Sequence, residues 1–399
     1  MQLITRIFNK TTLFVLFLFV VLFEGGSYAV LTVLKLQGKH FADIYDPSGN
    51  TARVRGKCDD YVQTLELHPY LAFVHGKRCS STGYKTNNIG LLNQDVDLTN
   101  KQFHSVGIFG GSVAAQFGGL DTTPQLEQIL NGCFQNKKTK PFKVLNFADG
   151  AWKQPQQVIA LALYGDYLDV AISIEGFNEH YTVGASLDMT IPAGTFASLI
   201  NNNFFSNTYF KLRHINGTFL DKSNFIKLLT VAYRRTLEKR GIENNNRINQ
   251  NFLLPHEVDR NTHNSNRYLG FIKSFDAIAD SKHIYSMVVL QPSPLHKKLS
   301  AVEATQVGSL DYEKQYQEIS RILSNARHFL DLTDLFKNSD QTIFSDRIHF
   351  VGDDRFRSYG NYKMALEIVN KLSHDGQITP AGNLATCIAK FASTQKVEK

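Results

Sequence analysis

Ser112 stands in the segment GIFGGSVAAQFGG (107–119), and far downstream FSDRIHF (344–350) sets Asp346 and His349 three residues apart. A serine hydroxyl is a poor nucleophile until a base takes its proton. An imidazole does this well only when a carboxylate or equivalent acceptor fixes its tautomer and stabilises the imidazolium. A D-x-x-H turn can deliver both parts from one loop, which makes Ser112, His349 and Asp346 candidates for nucleophile, base and supporting acid. Two further positions could supply donors to a developing oxyanion. Gly150, in NFADGAWKQPQQ, has a backbone N–H with no side chain in the way; Asn178, in SIEGFNEH, has a side-chain amide. Such preorganised donors are worth about 3 kcal/mol each to the transition state. Taken singly, each has a plainer reading: a serine in a tight turn, a surface loop, a turn glycine and an Asx-type cap.

The elements around them decide how far these residues can act together. From 104 onward, short and nearly continuous apolar runs alternate with helical patterns, the signature of a parallel sheet buried on both faces. The expected strands are 104–109, 143–148, 169–176, 284–291 and 329–336; the expected helices are 123–134, 155–165, 223–241, 311–326 and 361–373. Ser112 then follows the first strand, Gly150 the second and Asn178 the third, while Asp346 and His349 precede the last helix. Open α/β sheets bind ligands at the carboxyl ends of their strands. The glycines around Ser112 match neither G-x-x-x-x-G-K-[ST] nor G-x-G-x-x-G, so a phosphate cradle is excluded, and they do not match the G-x-S-x-G elbow.

This four-block order resembles that of the SGNH (GDSL-like) hydrolases, over roughly residues 101–375. Blocks such as LHPYLAFV (67–74), FGGSVAAQF, KQPQQ and GFNE resemble a bacterial-type, membrane-anchored branch. The resemblance implies a flavodoxin-like three-layer α/β sandwich and acyl hydrolysis or transfer without a cofactor or metal. It implies Ser112 as nucleophile and first oxyanion donor, Gly150 and Asn178 as the other donors, His349 as base and Asp346 as its partner. The expected substrate is an ester-bearing small molecule, lipid or acylated glycan. Many members carry Asp directly before the serine, where this chain has Gly111. The competing expectation is a catalytically silent module of the same fold that binds a glycan or a partner protein.

The remaining sequence bounds the setting. Residues 1–12 form a short tail, and 13–34 hold two apolar runs, LFVLFLFVVLF and YAVLTVL, separated by Glu24, two glycines and Ser27. As one helix this covers a hydrocarbon core of about 30 Å. As a signal peptide, Arg6 and Lys10 precede the apolar run, with Ser27 and Ala29 near a cleavage site. Either reading places the bulk of the chain on the non-cytoplasmic side. Residues 35–100 read as a lead-in packing on a main domain at 101–393, with an insertion near 181–265. The excess of 43 basic over 36 acidic residues is thinly spread. Its two clusters, at 137–143 and 234–240, lack the interleaved aromatics of a nucleic-acid groove and read as solvated faces. Cys58, Cys79, Cys133 and Cys387 form no C-x-x-C pair. Their even number permits disulfides, with Cys58 and Cys79 the local candidates, or four free thiols.

Overall fold

The computed structural model describes residues 18, 21–30, 32–33, 65–81, 84–99, 101–184, 225, 260–308, 310–352 and 358–394. The chain forms two compact units, Met1–Ala52 with Ala193–Asn249, and Arg53–Pro192 with Gln250–Lys399. In the first, residues 21–30 are helical, and Phe23 meets Phe225 edge-on with ring centroids 4.8 Å apart. The rest of the apolar run from 13 to 34, apart from 18, 32 and 33, lies outside the described residues. Among the described residues, no helix is long and apolar enough to cross a membrane.

The second unit opens with a hairpin, β1 (Leu65–His68) and β2 (Ala72–His75), followed by β3 (Ser80–Ser81) and β4 (Tyr84–Lys85). Then come β5 (His104–Gly110), α1 (Ser112–Phe117), α2 (Gln125–Cys133), β6 (Phe134–Asn136), β7 (Phe142–Ala148), α3 (Gln156–Tyr164), β8 (Val170–Glu175) and α4 (His180–Gly184). Further along the chain follow α5 (Arg260–Ser281), β9 (Tyr285–Leu290), α6 (Ala301–Val307), α7 (Glu313–Leu323), β10 (Phe329–Asp331), α8 (Tyr359–His374), β11 (Ile378–Pro380) and α9 (Leu384–Thr394). Five strands make one sheet in the order β10-β9-β8-β5-β7, with every neighbouring pair parallel.

Side chains alternate across a strand, so a sheet buried on both faces feeds two cores. Val106, Ile108, Val144, Ile172, Ile174, Met287 and Val289 point into one cluster with residues of α2 and α8. Phe109, Leu145, Phe147 and Ala171 point into the other, beneath α3 and the Phe275–Ala279 turn of α5. Val288 and Leu290 meet α5 and α7. The result is a parallel sheet with helices on both faces. Residues of the lead-in join the second cluster: Leu71, Phe73, Val74 and Leu91 pack with Trp152. A disulfide joins Cys133 on α2 to Cys387 on α9; Cys79 is also disulfide-bonded, and Cys58 lies outside the described residues.

Two elements differ from the sequence pattern. The run 329–336 is a strand only as far as Asp331, because the Asp331 carboxylate captures the Thr333 N–H at 2.9 Å and its hydroxyl at 2.6 Å. That Asx-type turn competes with the sheet ladder, and Leu332 and Phe336 are buried from the turn instead. The helix α5 begins inside the stretch expected to be insertion. Its first turns hold Asn261, Asn264, Ser265 and Asn266, which are poor helix formers. The signal that marks it is the stripe Tyr268, Ile272, Phe275 and Ala279, spaced by four, three and four and fully buried. The helix expected at 223–241 lies outside the described residues except for Phe225, which is helical.

Candidate active site

The sheet order places β5 beside β8, and the chain winds outward in opposite directions from that pair. This is a topological switch point, where a crevice opens beyond the carboxyl ends of the strands. Ser112 follows β5 and Asn178 follows β8, so the two flank this crevice.

Gly110 makes the turn out of β5. Its φ is +143°, and a Cβ there would lie 2.4 Å from the Ile174 carbonyl oxygen, so only glycine fits. The turn delivers Ser112 as the first residue of α1, where a backbone N–H has no intrahelical acceptor. On β7, the buried Asn146 fixes the other end of α1, its amide donating to the Ala115 and Gly119 carbonyls at 2.8 Å each. Gly111 has its own reason. A Cβ at that position would fall 2.0 Å from Asn178 Nδ2, so the asparagine amide occupies the space a side chain before the serine would need.

His349 and Asp346 come from a short hairpin. Phe344 bridges Phe350, the Ser345 N–H donates to the His349 carbonyl at 2.9 Å, and the Val351 N–H donates to Ile343 at 2.7 Å. His349 Nε2 lies 2.7 Å from Ser112 Oγ, and His349 Nδ1 lies 2.7 Å from Asp346 Oδ2. Asp346 Oδ1 accepts the backbone N–H groups of Ile348 and His349, both at 2.8 Å. Partial burial works to raise the Asp346 pKa. The His349 ring and these two N–H groups outweigh it and hold the carboxyl well below the usual carboxylate range. An ionised carboxylate can only accept, so Nδ1 carries the proton and Nε2 is left to accept from Ser112. The three residues singled out as nucleophile, base and acid are brought into one hydrogen-bonded line.

The two expected oxyanion donors fare differently. Asn178 lies against Gly111, the residue directly before the serine, with one amide hydrogen donated to the Trp152 carbonyl at 2.8 Å. The Gly150 N–H donates to the neighbouring Asp149 Oδ1 at 2.6 Å. That same oxygen lies 3.0 Å from His75 Nε2, in a pair buried at 0% and 1% exposure. Nothing in NFADG advertised that Asp149 would turn inward to His75.

Sequence reasoning also missed what holds the Asn178 loop. Glu175 and Glu179 are both fully enclosed. Glu175 accepts from Gln154 at 2.7 Å, from Ser173 at 2.5 Å and from the Tyr268 hydroxyl at 3.1 Å. Glu179 accepts the Gly176 N–H at 2.7 Å and Gln157 at 3.3 Å. Burial pushes both pKa values up; at Glu179 the neighbouring Glu175 adds to the rise. The glutamines of KQPQQ and the glutamate of GFNE are thus two halves of one network. On the rim, the Arg347 guanidinium lies over Phe177 at 5.8 Å and Tyr312 at 5.4 Å, and it pairs with Asp311. This cation–π contact joins the His349 hairpin to the Asn178 loop.

No protein-family model matches the chain, and no curated protein matches it.

Proposed function

We propose that this chain is a serine hydrolase or O-acyltransferase of the SGNH type, which cleaves an ester through an acyl-Ser112 intermediate. The observation that carries this reading is the unbroken line Asp346–His349–Ser112, assembled across 237 residues of sequence with both contacts at 2.7 Å. In the reaction, His349 Nε2 takes the Ser112 proton as Oγ attacks the ester carbonyl. Asp346 stabilises the imidazolium, and the Asn178 amide with the Ser112 N–H stabilises the oxyanion. His349 then returns the proton to the leaving alcohol. Water completes hydrolysis, and a second alcohol completes transfer. The sheet order, which in chain order reads 2-1-3-4-5, supports the flavodoxin-like form of the fold.

The substrate class is an ester-bearing small molecule, lipid or acylated glycan, and the setting is the non-cytoplasmic face of a membrane. Support for the setting comes from the N-terminal helix, which exposes Val21, Leu22, Phe23, Tyr28, Val30 and Val33, and from the disulfides, which persist in oxidising compartments.

A fluorophosphonate probe tests the reading directly. The folded wild type is expected to be labelled on Ser112, as located by peptide mapping, and Ser112→Ala to be inert. A folded wild type that takes no label would overturn it.

A further inference from the structure

The loop bearing Asp346 and His349 hangs from a buried ion pair that lies outside the triad. Glu303 opens α6 through a capping box with Ser300: its backbone N–H donates to Ser300 Oγ at 3.2 Å, and Glu303 Oε2 accepts the Ser300 N–H at 3.0 Å. A capping glutamate normally sits in water. This one is 0% exposed, and its Oε2 also accepts from Lys297 Nζ at 2.6 Å, itself 1% exposed. The other oxygen does something a helix cap does not require. Glu303 Oε1 accepts the backbone N–H of Ile343 at 2.7 Å and of Phe344 at 3.1 Å, some forty residues away.

Those two amides belong to the first arm of the catalytic hairpin. Ile343 receives Val351 across it, Phe344 bridges Phe350, and Phe350 follows His349 directly. Phe344 is fully buried against Phe336 and Phe350, so the arm has an apolar anchor on one side and Glu303 on the other. Desolvating two opposite charges is costly, and a buried ion pair is a weak device for stability alone. What it does supply is a fixed acceptor at a fixed place.

Resting on the hydrolase reading, we propose that Glu303, neutralised by Lys297, is a positioning residue for the catalytic base: it sets the height of the 343–351 hairpin and hence the reach of His349 to Ser112. Burial works to raise the Glu303 pKa, but Lys297 and the N–H groups of Ser300, Ile343 and Phe344 outweigh it and bring it to about 2. The carboxylate therefore keeps its acceptor role throughout the range in which a serine hydrolase works. The reacting atoms never touch Glu303. It acts through the hairpin, and misplacement of a catalytic group by about 1 Å can cost on the order of 100-fold in rate.

The test uses the full-length protein, an activated aryl ester and the fluorophosphonate probe, at temperatures well below unfolding. Glu303→Asp keeps the charge and a partner for Lys297 but withdraws the carboxylate by one methylene from the hairpin amides. Its kcat and labelling rate are expected to fall about 10- to 100-fold with KM within about twofold of wild type. Glu303→Gln keeps the length and one acceptor oxygen and is expected to recover part of that loss; it also serves if the aspartate variant does not fold. A folded variant with lowered thermal stability but wild-type kcat and labelling rate would overturn the positioning role, leaving Glu303 as a helix cap. A wild type inert to both ester and probe would instead overturn the hydrolase reading, so the two failures are distinguishable.

Discussion

The two loops that bracket Ser112 are both held by buried glutamates, and the glutamates stand in opposite surroundings. Under the His349 hairpin, Glu303 is surrounded by donors: an ammonium and three backbone N–H groups. Under the Asn178 loop, Glu175 and Glu179 face each other, with amide, hydroxyl and single backbone donors around them. The first environment pulls the carboxyl pKa down and the second, where burial dominates, pushes it up. The difference suits the two tasks. On the proposed hydrolase reading, the hairpin carries a base that becomes a cation, and a fixed negative charge nearby costs nothing there. On the same reading, the Asn178 loop faces a developing oxyanion, and a full negative charge beside it would oppose that charge through a low-dielectric interior. The upward shift at Glu175 and Glu179 works against that charge, while their hydrogen bonds still support the loop.

Breaking the hairpin side at its tip should have the largest effect. His349→Ala is expected to lower kcat/KM for an activated ester by about 10⁴-fold or more in a protein that stays folded. Near-normal turnover would remove His349 from the chemistry. Breaking the support of the same side is next. Lys297→Met leaves Glu303 buried without its cation, and denaturant titration near neutral pH should register a loss of about 3–5 kcal/mol. A loss below about 1 kcal/mol would mean that the backbone donors alone hold the carboxylate. On the other side, Asn178→Ala is expected to reduce kcat by about 10²–10³-fold with little change in KM, as for the removal of a single oxyanion donor. If KM rises instead and kcat holds, Asn178 binds the ground state.

The smallest effect sharpens the contrast through pH. The Glu303 pKa is depressed, so its contribution is present above the ordinary glutamate value of 4.5 and is lost as pH falls toward about 2. Those of Glu175 and Glu179 are raised, so their contribution is present below 4.5 and is lost as pH rises toward their folded-state values. Glu179→Gln should therefore raise the melting temperature by a few degrees at about pH 8 and leave it nearly unchanged at about pH 4. A shift of equal size at both pH values would show that Glu179 is not holding a proton in the folded state.

Much of this architecture could be read from the chain before any coordinates. The apolar runs at 104–109, 143–148, 169–176 and 284–291 carry their own evidence of burial on two faces, and all four became strands of the central sheet. The order of Ser112, Asn178, Asp346 and His349 along the alternating strands already implied that they could meet at one edge. A D-x-x-H turn is local chemistry: the Asp346 side chain reaches the His349 N–H and ring within one loop, so sequence spacing alone constrains it.

What sequence could not decide is every contact whose partners are far apart in the chain and whose direction depends on packing. Asp149 reads as an ordinary loop carboxylate, but it turns inward to His75 on β2, seventy-four residues earlier, and accepts the Gly150 N–H there. Gly111 reads as a departure from the pattern of similar sequences, and only the fold shows the Asn178 amide in the place of a side chain. Glu303, Glu175 and Glu179 look in the sequence like any solvated carboxylates. Burial, and the number of donors that burial brings to each, pulls one pKa down and pushes the other two up. Local pattern determines which residues form strands and turns, because backbone sterics and periodicity act over a few residues. The charge state and aim of a buried polar group are set by neighbours that only the folded chain assembles.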